Sequence, residues 1–169
     1  IPSWALGAGG TRFGRFSFYG EPSSLEQKID DIGVIHSLTQ TAGAISLHIP
    51  WDIPSDYSAI RQKAHELNIK FDAVNSNTFQ DQKESNKSYK YGSLSNINKS
   101  IREQAIQHNI DVIGIGDKLG SKGLTVWLAD GSCFPGQNNF QKALLNTQDS
   151  LKEIYKSLPS DWKMLIEYK

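Results

Sequence analysis

Polar and aromatic residues stand at the ends of several short apolar segments of this chain. His48 closes "AISLH" and is followed by Trp51 and Asp52, while Glu167 and Lys169 close "MLIEYK". Glu167 and Lys169 are two residues apart, so on a β-strand both side chains would point to the same face. Further residues at such ends are Trp4, Asn75, Asn77, Phe79, Trp127 and Asp130. This mixture suits a small polyhydroxylated ligand, because aromatic faces pack against C–H groups while charged and amide groups orient hydroxyls.

These residues also have purely structural interpretations. His48 lies in an apolar segment and fits a buried core histidine equally well, and Trp4 and Trp127 fit packing residues. Glu167 and Lys169 fit a surface ion pair, which contributes little to stability. The functional interpretation is favoured because unrelated core residues need not fall repeatedly at the same ends of successive segments.

A divalent metal ion is one ligand that these residues could hold in part. Hard cations prefer oxygen ligands, which makes Glu167 the strongest candidate. His48 and Asp130 are weaker candidates. Together they are too few to complete a coordination shell, so the sequence predicts a metal ligand and not a complete metal site.

Apolar periodicity predicts alternating strands and helices that position these residues. Strands are expected near residues 1–6, 44–49, 69–74, 123–130 and 163–168, and helices over about 24–38, 56–67, 96–119 and 140–158. Ser23 or Ser24 is expected to cap the first helix and Ser55 or Asp56 the second. Gly43 is expected to follow the end of the first helix, and Gly120 that of the third.

Short apolar strands that alternate with amphipathic helices indicate an α/β fold, a parallel sheet covered by helices. Two arrangements fit. One is a doubly wound open sheet, and the other is a partial (β/α)8 TIM barrel with the first five strands and four intervening helices. A complete barrel needs about 250 residues, so a chain of 169 supplies only part of one. In both arrangements ligands bind at the carboxyl ends of the strands, where the residues above lie.

The glycine-rich segment "GAGGTRFG" invites a nucleotide-binding interpretation. Counting from Gly7 and Gly9, the G-x-G-x-x-G pattern requires glycine at residue 12, which is Arg12. The sequence also lacks a Walker pattern. A tight turn is therefore favoured. Its aromatic and basic side chains, Phe13 among them, fit a contact with a partner subunit.

Composition argues against several classes of function. The chain has 18 basic and 18 acidic residues and a pI near 7.1, so it lacks the basic character typical of a nucleic-acid partner. No apolar run approaches the ~20 residues that span a bilayer, and we expect no membrane partner. The single cysteine, Cys133, excludes an internal disulfide framework and fits a reducing, cytoplasmic compartment.

Seven sequence blocks, in order along the chain, resemble the L-rhamnose isomerases of the pseudomonad type. The blocks are "PSWALGAGGTRFGRF", "SLHIPWD", "FDAVNSNTFQD", "SYKYGSLS", "GSKGLTVWLADGS", "FPGQNNF" and "LPSDWKMLIEYK". The resemblance implies a metal-dependent aldose–ketose isomerase on a xylose-isomerase-like (β/α)8 barrel, which interconverts L-rhamnose and L-rhamnulose. It further implies hydride or proton transfer between C1 and C2 of the open-chain sugar, with two Mn²⁺ ions as Lewis acids.

The same resemblance assigns roles to individual residues. It implies that Glu167 binds a metal and that Lys169 and His48 act at the sugar as catalytic residues. The residues implied to bind substrate are Trp4, His48, Phe79, Trp127, Lys169 and, reaching into a neighbouring subunit of a homotetramer, Phe13.

The resemblance also implies that these 169 residues supply only part of the site. The remaining metal ligands of the family come from strands six to eight, and this chain starts and stops within apolar segments. We therefore expect residues 1–169 to be the N-terminal part of a single barrel domain, inactive by itself. Two alternatives stay open, namely another xylose-isomerase-like sugar isomerase or epimerase, and a non-catalytic half-barrel that binds a sugar.

Overall fold

The computed structural model describes residues 1–7, 19–82 and 85–168. Strands and helices alternate in the order α1 (Leu25–Thr39), β1 (Ala44–His48), α2 (Tyr57–Glu66), β2 (Lys70–Ser76), α3 (Lys99–Leu119), β3 (Gly123–Leu128), α4 (Phe140–Lys156) and β4 (Lys163–Tyr168). All four helices and the last four predicted strands are confirmed, and their ends differ from the prediction by three residues or fewer.

The first predicted strand is the main difference from the sequence prediction. The sequence predicts five strands, and the described residues form four. Residues 1–6 make only one isolated parallel bridge, between Pro2 and Ser46, and Ser3–Ala5 then turns into a short 3₁₀ helix. Proline has no N–H to donate to a ladder, so the pairing does not extend beyond this single bridge. This segment nevertheless lies beside β1, since the Ser46 N–H donates to the Ile1 carbonyl at 3.1 Å.

The order of the strands distinguishes the two predicted architectures. The sheet is fully parallel, and its order is β1-β2-β3-β4. A doubly wound sheet reverses its strand order at a switch point, whereas here every crossover moves one strand further in the same direction. Parallel crossovers are right-handed as a rule, and crossovers that all move in one direction then place their helices on one face of the sheet. The fold is therefore part of a (β/α)8 barrel.

Local capping residues explain where the helices begin and end. The side chain of Asp56 accepts hydrogen bonds from the Ser58 and Ala59 N–H groups at the start of α2. Ser24 caps α1 in the same way. Gly120 ends α3 at φ +85°, a left-handed conformation that glycine adopts without steric cost. The end of α1 differs from the prediction, because Gln40, and not a glycine, takes the left-handed position.

The main core lies between the sheet and its helices. Its fully buried members include Ile29, Ile32, Ile45, Leu47, Ile60, Val74, Val112, Leu124, Val126 and Ile154. β4 differs from the other strands because it pairs with β3 alone among the described residues. Its Leu165 and Tyr168 are 48% and 81% exposed, so this edge of the sheet presents apolar surface. None of the described helices is long and apolar enough to cross a membrane.

Candidate functional site

A row of aromatic rings lies at the carboxyl ends of the strands. The ring centroid of His48, the last residue of β1, is 5.3 Å from that of Trp4 and 4.8 Å from that of Trp51. Phe79 follows β2, and its ring centroid lies 5.7 Å from that of His48 and 4.7 Å from that of Trp127 on β3. These five residues are called the aromatic row below. The structure thus brings together five of the residues that the sequence analysis places at the strand ends.

A buried carboxylate anchors one end of the aromatic row. Asp52 is fully buried, and its Oδ1 lies 2.7 Å from Nζ of the buried Lys28. Its Oδ2 accepts the His48 N–H at 2.8 Å and the Ser3 hydroxyl. Asp52 therefore joins helix α1 to His48 and to Ser3, the residue before Trp4. Both of its oxygens are engaged within the protein.

The carboxylate of Asp130, a weaker metal-ligand candidate, is also engaged within the protein. It accepts hydrogen bonds from the backbone N–H and the hydroxyl of both Ser93 and Ser95, at 2.7 to 2.9 Å. The other weaker candidate, His48, lies within the aromatic row. Among residues 1–7, 19–82 and 85–168 there is no group of three His, Cys, Asp or Glu side chains that could hold a metal ion.

Glu167 lies next to the aromatic row on the open edge of the sheet. It is directly opposite Trp127 in the β3–β4 ladder, and its side chain is exposed. An exposed carboxylate is a suitable donor for a hard cation, but one carboxylate alone does not make the predicted two-metal centre. Lys169 and Phe13 lie outside the described residues, so their roles stay predictions.

Behind the aromatic row, a histidine fixes the segment that follows β2. The backbone N–H of Asn77 donates to Nε2 of His108 on α3 at 2.9 Å. Nε2 can accept this bond only while it is unprotonated. Burial lowers the pKa of His108, and the nearby Asp111 carboxylate opposes that shift in part. The neutral imidazole is therefore the form that stabilises the segment leading to Phe79.

This contact predicts a pH-dependent contribution to stability. Because the pKa of His108 is lower in the folded state, the unfolded chain takes up the proton first as the pH falls below about 6.5. The contribution of neutral His108 is thus complete above that pH and is lost as the pH approaches the folded-state pKa. His108→Gln keeps an acceptor but does not titrate, so its urea unfolding midpoint should fall less between pH 7 and pH 5.

A matched control for this prediction is His65→Gln, because His65 is an exposed histidine in the last turn of α2. Its unfolding midpoints should keep the pH dependence of the parent protein. An equal flattening in the two variants would contradict the role of His108.

Comparison with known proteins relates the whole chain to sugar isomerases. It is 50% identical over 169 residues to a probable sugar isomerase of Rhizobium meliloti (strain 1021), and 50% identical over the same length to one of Mesorhizobium japonicum. At that identity the chain is homologous to both proteins along its full length. The chain spans 39% of the length of each. No family model matches the sequence.

Solved structures share the fold at much lower sequence identity. A D-psicose 3-epimerase from Clostridium cellulolyticum H10 superposes with a TM-score of 0.56 at 13% identity, covering 80% of this chain and 43% of that protein. A family 2 AP endonuclease from Brucella melitensis gives a TM-score of 0.57 at 14% identity, covering 88% of this chain and 50% of that protein. Proteins of different activity thus share this arrangement, so these similarities establish the fold alone.

Sequence reasoning misses the partners that fix the site in place. It selects Asp52 and Asp130 for their position but does not identify Lys28 or the serines that bind them. One signal was available for Lys28, which precedes Ile29 and lies four residues before Ile32 on the buried stripe of α1. A lysine at such a position indicates a buried anionic partner.

Proposed function

We propose that the complete protein containing this chain is a metal-dependent aldose–ketose isomerase that interconverts L-rhamnose and L-rhamnulose. The observation that carries the proposal is the aromatic row at the carboxyl ends of successive parallel strands. The 50% identity to two probable sugar isomerases over the full chain supports the same reaction class. Rings packed side by side form an apolar wall against which the C–H face of a sugar can lie.

In this proposal the aromatic row binds the sugar. His48 contacts a substrate oxygen from the middle of the row, and its neighbours Trp4, Phe79 and Trp127 form the wall. Lys169 is proposed as the second catalytic residue, since it follows Glu167 by two positions in the sequence. Phe13 reaches the pocket of a neighbouring subunit in a cytoplasmic homotetramer.

Glu167 is proposed as the ligand that this chain contributes to a manganese centre. It is an exposed carboxylate beside Trp127 in the β3–β4 ladder, and the other ligands come from parts of the complete protein beyond these residues. When bound, two Mn²⁺ ions would act as Lewis acids on the sugar oxygens. The 169-residue chain by itself is then expected to be inactive.

The open edge of the sheet supports a larger barrel. Leu165 and Ile166 of β4 are 48% and 38% exposed, although both are apolar strand residues. A further strand paired to β4 would cover them and satisfy the free edge of the ladder. We therefore propose that further strands of the same polypeptide close the barrel there.

Metal removal tests the proposed reaction. The purified complete protein should form L-rhamnulose from L-rhamnose, lose that activity on treatment with EDTA, and recover it with Mn²⁺ but not with Na⁺. Ketose formation is followed by a colorimetric assay or by NMR.

Other outcomes identify the alternatives. If the protein converts other aldoses but not L-rhamnose, the substrate is wrong and the reaction class holds. If it changes the configuration of a ketose without forming an aldose, it is an epimerase. Sugar binding without turnover, unaffected by EDTA, would indicate a binding module.

A further inference from the structure

The relative position of Phe79 and Trp127 is not fixed by the sheet itself. Their ring centroids lie 4.7 Å apart, but the β2–β3 ladder ends with the pair Ser76 and Val126. Phe79 lies beyond that ladder, in a segment without helix or strand among the described residues. Two contacts hold this segment: His108 binds Asn77, whose Oδ1 accepts the Phe79 N–H at 3.3 Å, and a second contact binds Asp81 two residues after Phe79.

Residues 89–96 lie between β2 and α3 in the sequence and are called the bracket below. Hydrogen bonds link the bracket to the segments that follow β2 and β3. At one end of the bracket, the Tyr89 N–H donates to Oδ1 of Asp81 at 2.6 Å, and Asp81 follows Phe79 by two residues. At the other end, Ser93 and Ser95 bind Asp130, which follows Trp127 by three residues. Two carboxylates thus tie one segment to both aromatic residues.

Asp130 is the more strongly bound of these two carboxylates. Its oxygens accept two backbone N–H groups and two hydroxyls from the bracket. Gly92 permits this approach, because it has a φ of +105° and a Cβ there would lie 2.8 Å from Oγ of Ser95. Hydrogen bonds to a charged acceptor are about twice as strong as neutral ones, so the contact is a specific one.

Helices hold the outer side of the bracket. From α4, Nδ2 of Asn146 donates to the Ser95 carbonyl at 3.1 Å, and the Ser150 hydroxyl donates to the Leu94 carbonyl at 2.9 Å. A cavity of about 350 Å³ lies on the inner side, lined by Phe79, Asp81, Tyr89, Gly92 and Asp130 among others. The bracket therefore forms a wall of a cavity that shares Phe79 with the aromatic row.

We propose that the bracket fixes the spacing of Phe79 and Trp127 and that Asp130 is its positioning residue. Asp130 acts through these two rings and does not itself touch the reacting atoms. The consequence for catalysis rests on the proposed function, whereas the consequence for the mobility of the residue 77–82 segment does not.

The first test compares Asp130→Asn with the parent in the complete protein. Asparagine has the same shape, but its NH₂ group would face fixed N–H donors. We expect KM for L-rhamnose to rise about tenfold, as for the loss of one charge-assisted hydrogen bond, with kcat within about twofold. Asp161→Asn, which removes an exposed carboxylate paired with Lys122, should leave KM unchanged.

A stability-matched control separates positioning from general destabilisation. Ile60→Ala leaves a cavity in the core at α2 and should lower the melting temperature without changing KM, since Ile60 is fully buried on a helix that contributes no residue to the aromatic row or to the bracket. If Ile60→Ala raises KM as much as Asp130→Asn does, or if Asp130→Asn leaves KM unchanged, the proposal is overturned. Should Asp130→Asn fail to fold, Ser95→Ala keeps the carboxylate and is expected to raise KM by a smaller amount.

Hydrogen–deuterium exchange tests the bracket without any assay of activity. Asp130→Asn should speed exchange in peptides covering residues 77–82 as well as in those covering 92–96, and Asp161→Asn should do neither. Faster exchange confined to 92–96 would overturn the bracket even in an active enzyme. If the parent does not convert L-rhamnose but exchange rises in both regions, the proposed substrate fails and the bracket stands.

Discussion

Replacing Asp52 with asparagine is expected to lower the free energy of unfolding by about 3–5 kcal/mol, the usual cost of breaking a buried ion pair from one side. The exposed fractions of the Lys28 and Asp52 side chains are 2% and 0%, and their charged atoms lie 2.7 Å apart. The asparagine would leave the Lys28 ammonium buried without a counter-charge. It would also weaken the bonds to His48 and Ser3, so the aromatic row should loosen. Urea unfolding of the complete protein measures the first effect.

The ion pair between Lys63 and Asp30 is a control, because its contact distance is similar to that of Lys28 and Asp52 but its side chains are more exposed. Lys63 and Asp30 lie 2.6 Å apart, but their side chains are 31% and 55% exposed. Asp30→Asn should therefore cost only about 0–1 kcal/mol, because water screens exposed pairs. If both aspartate variants lose the same stability, burial does not govern the Lys28–Asp52 pair.

The elements of the fold could be predicted from the sequence because their signals are local. Helix α2 begins where Asp56 can accept N–H groups from the next residues, and α3 ends where Gly120 can take a positive φ. The prediction of a strand at residues 1–6 was wrong for an equally local reason. The apolar residues there satisfy the strand pattern, but Pro2 has no N–H with which to extend a ladder. The choice between barrel and open sheet needed the strand order, which no local pattern encodes.

The candidate site was predictable only in part. The rule that ligands bind at the carboxyl ends of parallel strands selects His48, Phe79 and Trp127, and these rings do lie together. The rule cannot tell whether a given carboxylate is engaged within the protein or remains for a ligand. Asp52 and Asp130 stand at the same ends, yet apart from the His48 N–H their partners are 24 to 49 residues away in sequence. A sequence therefore shows that a carboxylate is near the site, and the tertiary contacts decide whether its oxygens remain for a ligand.

Of these three carboxylates, Glu167 is the one whose replacement is expected to lower activity most. Unlike Asp52 and Asp130, it is exposed beside Trp127. Loss of a residue that only supports a metal ligand lowers metal affinity or activity by about 10–100-fold. Glu167→Gln removes a proposed ligand itself, so it should lower isomerase activity by at least ~100-fold. Manganese content, measured by mass spectrometry after dialysis, should fall in parallel. The melting temperature of the metal-free protein should stay unchanged, because an exposed side chain contributes little to packing.

Glu153→Gln serves as the matched control, since Glu153 is an exposed glutamate on α4 that pairs only with Lys156 among the described residues. Its activity and manganese content should equal those of the parent. If Glu167→Gln keeps its manganese and its activity, Glu167 is a surface residue and the metal site lies elsewhere in the complete protein. If it loses activity but keeps manganese, Glu167 acts on the sugar and not as a ligand. Measuring manganese content and activity on the same samples therefore distinguishes a metal ligand from a residue that acts on the sugar and from a surface residue.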